Sequence, residues 1–176
     1  MKNIIIGTTS INRSKLHQTN IPNWYKWINE LDRKKYNLKW FINIDYIDKL
    51  GEEVEVTKNS YRSMITEIPV TFLENQKGKG NFLNACKRVS SNIEKYVIEN
   101  KLNEENCIII WLEDDWSLNL DKVKLSNIIE NYLGNLSSIH LTFLRSNYIH
   151  ALAPSIISYN LWKQLHLTAW KNQNKQ

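Results

Sequence analysis

The sequence predicts an open α/β domain, a mostly parallel sheet flanked by helices on both faces. Three observations carry that expectation. Short β-branched apolar runs alternate with segments of helical period through residue 133. One run, residues 107–112 (CIIIWL), is wholly apolar, as a strand buried on both faces must be. It ends without a spacer in three carboxylates, Glu113, Asp114 and Asp115. The carboxyl end of a central strand is where open α/β sheets place their ligands.

The elements follow in order. Residues 3–8 read as an Ile-rich strand, and residues 9–20 as a polar segment carrying Arg13. Pro22 is expected to open a helix, where its missing N–H costs least, with Ile21, Trp24, Ile28 and Leu31 on one face. Residues 38–44 form a second strand that ends at Asp45. Residues 46–68 read as a loop with a short helix at 61–65, and 69–73 as a third strand. A Gly- and Lys-bearing turn at 75–81 leads into a long helix at 82–99. After the strand at 107–112, a helix is expected over 121–133, with Asp121 at its start and Gly134 as its stop. Two short strands at 139–144 and 149–153 follow, then a last helix from Pro154-Ser155 through Trp162 and Leu165. Residues 171–176 are a polar tail.

Composition narrows the class. The 176 residues suffice for one domain with its own core, and 42% hydrophobic with 23% charged residues is ordinary for a globular chain. The net charge of +5 permits phosphate contacts, but the lysines are dispersed, so nucleic acid is not the expected partner. Cys86 and Cys107 lack metal-ligand spacing, which argues against a zinc site and for a reduced, cytoplasmic setting. Ile4-Ile5-Ile6 is too short for a signal-peptide core, and no apolar run approaches membrane-spanning length. Adjacent carboxylates repel one another, and hard oxygen ligands of this kind suit Mg²⁺ or Mn²⁺.

Three segments carry a resemblance: residues 4–13 (IIIGTTSINR), residues 75–88, and residues 111–116 (WLEDDW). In this order they resemble a GT-A-type glycosyltransferase, a nucleotide-sugar-dependent family with a Rossmann-like sheet and a DXD-like motif, here EDD. The likeness covers residues 3–165 and implies a single GT-A-like domain over 1–176. Residues 1–116 would bind the nucleotide-sugar and residues 117–170 the acceptor. The implied activity is metal-dependent transfer of a sugar from a UDP- or GDP-sugar to a glycan or other hydroxyl acceptor, with Mn²⁺ or Mg²⁺ as cofactor.

The resemblance also implies roles. Thr8, Thr9 and Arg13 would border the nucleotide, and Asp45 the base or ribose. Lys79, Asn81 or Asn84 would lie near the diphosphate. Asp115 would be the main metal ligand, with Asp114 or Glu113 holding ribose or a metal-bound water. Trp116, Arg145 and Tyr148 would face the acceptor, and Trp162 is a further stacking candidate. Plainer roles stand beside these: Thr8 and Thr9 as turn residues, Asp45 and Asn81 as helix or loop caps. The family's general base is an acid well after the DXD element, whereas the last carboxylate here is Glu130. The catalytic base is therefore unassigned, with His150 and His166 the remaining candidates. A non-catalytic nucleotide-sugar or glycan binder and a metal-dependent nucleotidyltransferase are the alternative readings.

Overall fold

The structure is a computed structural model that describes residues 1–75, 80–115, 124–131, 141–142 and 154–167. Among these residues the sheet has six strands, in the order β3-β2-β1-β4-β6-β5. Strands β1 (Lys2–Ile11), β2 (Tyr36–Asp45), β3 (Val70–Glu74) and β4 (Cys107–Glu113) are parallel. Strand β6 (Ser155–Ser158) runs antiparallel to β4, and the short β5 (Leu141–Thr142) pairs antiparallel with β6. Helices α1 (Ser14–Asn29), α2 (Val54–Met64), α3 (Phe82–Glu99), α4 (Leu125–Asn131) and α5 (Tyr159–Trp162) flank it. This is the α/β arrangement expected, a mostly parallel open sheet with helices on both faces.

Alternation along the strands sorts the core into two layers. Ile4, Ile6, Trp40, Ile42, Ile108, Ile110 and Leu112 pack with Trp24, Trp27 and Ile28 of α1, Tyr61 of α2 and Ile129 of α4. Ile5, Phe41, Ile109, Trp111 and Ile157 pack on the opposite face with Cys86, Val89 and Ile93 of α3 and Trp162 of α5. Both faces of the central strands are dry, which is why β4 carries no polar alternation.

Two elements depart from the sequence reading. Helix α1 begins at Ser14, two turns earlier than expected, and Pro22 lies inside it. Proline there removes one backbone donor, but the helix buries His17, Asn20, Ile21, Trp24, Trp27 and Ile28 along one face. That burial outweighs a single missing bond, at roughly 1.5–3 kcal/mol per large apolar side chain. Likewise residues 155–158 form a strand where a helix was expected to start. Ile156 and Ile157 point to opposite layers, so an extended backbone paired with β4 buries both. Within 46–68, α2 runs eleven residues rather than one short turn. The expected strand at 149–153 and the start of the helix at 121 lie outside the described residues.

Helix α3 presses closely on β1. A Cβ added to Gly7 would come 2.9 Å from Val89 Cγ1 and 3.1 Å from the Trp111 ring. Gly7→Val should therefore destabilise the fold by about 3 kcal/mol through overpacking, read as a lower denaturant midpoint. Wild-type stability in that variant would mean that α3 is not held at this distance.

Candidate functional site

Strand order reverses between β1 and β4: from β1 the chain proceeds outward through β2 and β3, then returns to add β4 on the other side. Such a reversal leaves a crevice at the carboxyl ends of the strands. A cleft of about 240 Å³ lies there, lined by Thr9, Arg13, Asp45, Asn81, Phe82 and Glu113 to Asp115. Register explains who meets whom. Thr9 pairs with Glu113 across β1/β4, and Ile11 with Asp45 across β1/β2.

The acidic triplet divides by strand alternation. Asp114 falls in phase with Ile110 and Leu112 and turns toward α1, with only 6% of its side chain exposed. Its Oδ2 accepts from Ser10 Oγ at 3.1 Å and His17 Nε2 at 2.7 Å. Arg13 donates from one terminal nitrogen to Oδ1 at 3.0 Å and from Nε to Oδ2 at 3.4 Å. The main chain joins in: Asp114 N–H donates to Thr9 O, and Asn20 Nδ2 donates to Asp114 O. Burial alone would raise the Asp114 carboxyl, but the hydrogen bonds and charges of His17 and Arg13 outweigh it and hold it below the usual carboxylate range.

A carboxylate only accepts when ionised, so His17 Nε2 carries the proton on this contact. Ser10 Oγ meets the same nitrogen at 3.0 Å. Serine and aspartate thus share one ring atom, and the imidazole cannot relay a proton between them as a hydrolytic triad requires. Ser10, His17 and Asp114 form a buried anchor.

A second anchor holds the other wall. Asp45 is buried, ion-paired to Arg88 of α3, and accepts from Asn43 Nδ2 at 2.9 Å and from Asn81 N–H at 2.9 Å. Asn81 caps α3 by accepting from Asn84 N–H at 3.2 Å. Asn81 therefore both caps α3 and lines the cleft, whereas Asp45 lines the cleft without capping the segment that follows it, where the Tyr46 and Ile47 N–H groups donate to Asn75 and Asn12 instead. Behind them, Asn12 bonds Ile47 and Glu52 main chain, and Glu52 accepts from Ser14 N–H and Oγ. Glu52 sits below its ordinary range: burial opposes ionisation, but bonds from Thr57 and Ser14 win.

The other expected residues scatter. Thr8 faces the α1 layer, fully buried, and accepts from Trp40 Nε1 at 2.8 Å, so it does not line the cleft. Asn84 is exposed on the first turn of α3 and does not line the cleft either. Lys79, Trp116, Arg145, Tyr148 and His150 lie outside the described residues, as does the side chain of His166. Trp162 is buried in the α3-side core.

Sequence reasoning missed Ser10, His17, Asn20 and Arg88. The signal for His17 and Asn20 was present. Read back from Trp24 at helical spacing, they continue the buried stripe once the helix is allowed to start before Pro22.

The donor set bears on the implied Mg²⁺ or Mn²⁺. Such ions commonly take one or two carboxylates and fill the remaining positions with phosphate and water. Asp115, with its side chain 51% exposed on the cleft, fits. Asp114 carries protein donors on both oxygens and does not. Among the described residues no group of three or more His, Cys, Asp or Glu side chains forms a cage, so a bound ion would rely on ligand oxygens.

Asp114→Asn should destabilise the fold by about 3 kcal/mol, because Arg13 and His17 lose a buried partner charge. The folded carboxyl is depressed, so its contribution is present above the unfolded-chain value near ~3.9 and lost as pH falls through the folded value. Urea midpoints between pH 6 and pH 2 should therefore drop more steeply for wild type than for the variant. Parallel curves would contradict the anchor.

No protein-family model and no curated protein matches the chain. Among solved structures, the chain is similar to S. aureus TarS residues 1–349, with a TM-score of 0.49, 10% identity, and 93% of this chain against 49% of that one. A second S. aureus TarS structure aligns with a TM-score of 0.48 and 13% identity, over 93% of this chain and 29% of that one. The chain thus spans about half or less of the TarS chains that it matches.

Proposed function

We propose that this chain transfers a sugar from a nucleotide-sugar donor, with the nucleoside diphosphate seated in the cleft between the ends of β1, β2 and β4. The observation that carries the reading is the pairing of Arg13 with the Asp114–Asp115 acids at the point where strand order reverses. A departing diphosphate gains negative charge, and cations held on rigid strand ends stabilise it. Arg13 is fixed by its bonds to Asp114 and is 34% exposed, so it offers a positioned guanidinium to a phosphate. Mg²⁺ or Mn²⁺ on Asp115 would supply Lewis-acid stabilisation of the same charge. Ile11, Ile47, Phe82 and Ala85 give the cleft apolar wall for a base or sugar ring. UDP- and GDP-sugars both fit this reading, as do glycan and other hydroxyl acceptors.

A second reading, donor binding without transfer, is favoured by one observation: Asp114 accepts protein donors on both oxygens, which withdraws one carboxylate from holding a Lewis-acid ion on the departing diphosphate.

Calorimetric titration of UDP and GDP with Mn²⁺ tests the site. Binding should weaken about tenfold or more in Asp115→Ala while the fold persists, since Asp115 is exposed. Equal binding in the variant would remove Asp115 from the site. Release of free sugar from a bound nucleotide-sugar supports transfer; tight binding with none supports the second reading.

A further inference from the structure

We infer that Arg13 is the resident counter-ion of Asp115 and competes with a divalent cation for it until an anionic ligand neutralises the guanidinium. This rests on the donor-site reading above. The two contacts of Arg13 are unequal. On Asp114 the guanidinium makes hydrogen bonds at 3.0 and 3.4 Å to a buried carboxylate. On Asp115 the nearest approach is 3.7 Å, to a carboxylate that is half exposed. That distance exceeds hydrogen-bond range, so charge alone holds the contact, and solvent screens it. The Asp115 side is the one that yields.

Arg13 is also the only cation among the described residues lining the cleft, against four acids. Of those, Asp45 is ion-paired with Arg88, and Asp114 is ion-paired with Arg13 and hydrogen-bonded by His17. An ion arriving alone on Asp115 meets a guanidinium that cannot retreat, because Asp114 tethers it. A diphosphate changes this by adding negative charge between the two cations. The arrangement makes the bare divalent ion a poor ligand and the ion with its diphosphate a good one, through one arginine.

The consequence is opposite in sign for two ligands. In the full chain without nucleotide, Mn²⁺ should bind about threefold or more tighter to Arg13→Gln than to wild type, read by the electron paramagnetic signal of free Mn²⁺. UDP or GDP with Mn²⁺ should bind the same variant about tenfold weaker. Arg13→Lys, which keeps a charge on Asp114 and so protects the fold, should bind bare Mn²⁺ with affinity between the two. Asp115→Asn should abolish bare-ion binding in every background. Unchanged or weaker Mn²⁺ binding in both Arg13 variants, with binding still lost in Asp115→Asn, would overturn this inference and leave the donor site standing. No Mn²⁺ binding in any variant, with or without nucleotide, would overturn both.

Discussion

The Asp114 carboxylate is the tie on which the cleft depends. It joins the end of β4 to the end of β1 through Ser10 and to α1 through Arg13 and His17. A buried charge is costly unless every oxygen has a partner, and here the partners come from two separate elements. Moving α1 away would strand the acid, so the acid fixes where α1 starts. That in turn fixes Arg13, the residue just before the helix, beside the cleft. Asp45 repeats the device on the opposite wall, where Arg88 and the N–H of Asn81 set the start of α3. Two buried acids, each at a strand end, thus aim two helix starts at one crevice.

The same constraint separates scaffold from working groups. Strand alternation sends Asp114 inward and leaves Glu113 and Asp115 at the cleft, so three adjacent acids have different tasks. The repulsion expected of an acidic triplet is relieved for the inward member by Arg13 and His17. Arg13 also approaches Asp115, whose side chain is half exposed at the cleft. On the proposed donor-site reading, affinity for a diphosphate and affinity for a divalent ion would not be independent, because one guanidinium lies against both carboxylates.

Much of the fold was legible because its signals are strong and local. The apolar run at 107–112, the Ile-rich start and the long amphipathic α3 each pointed to one element type, and their alternation implied the parallel sheet. Pro22 misled because a helix-start rule was applied where tertiary burial decides. Ser155–Ser158 misled because four residues cannot show a period, and pairing with β4 settled the matter. At the site, position was legible and role was not. The acids at the end of β4 were identified, but which one faces inward depends on the phase of the strand against α1. Thr8 shows the same limit: one residue from Thr9, it belongs to the opposite face of the sheet and to the core. The Ser10–His17 contact spans seven residues and was hidden by reading 9–20 as a polar segment rather than a strand end and a helix start.

Amide hydrogen exchange of the full chain, with and without UDP or GDP plus Mn²⁺, tests the central claim most directly. The account predicts new protection concentrated at residues 9–13, 80–85 and 113–115, the three strand-end and helix-start segments that line the cleft. Protection at the groove formed by Arg62, Ile65, Ile68 and Phe72, with none at the strand ends, would contradict it.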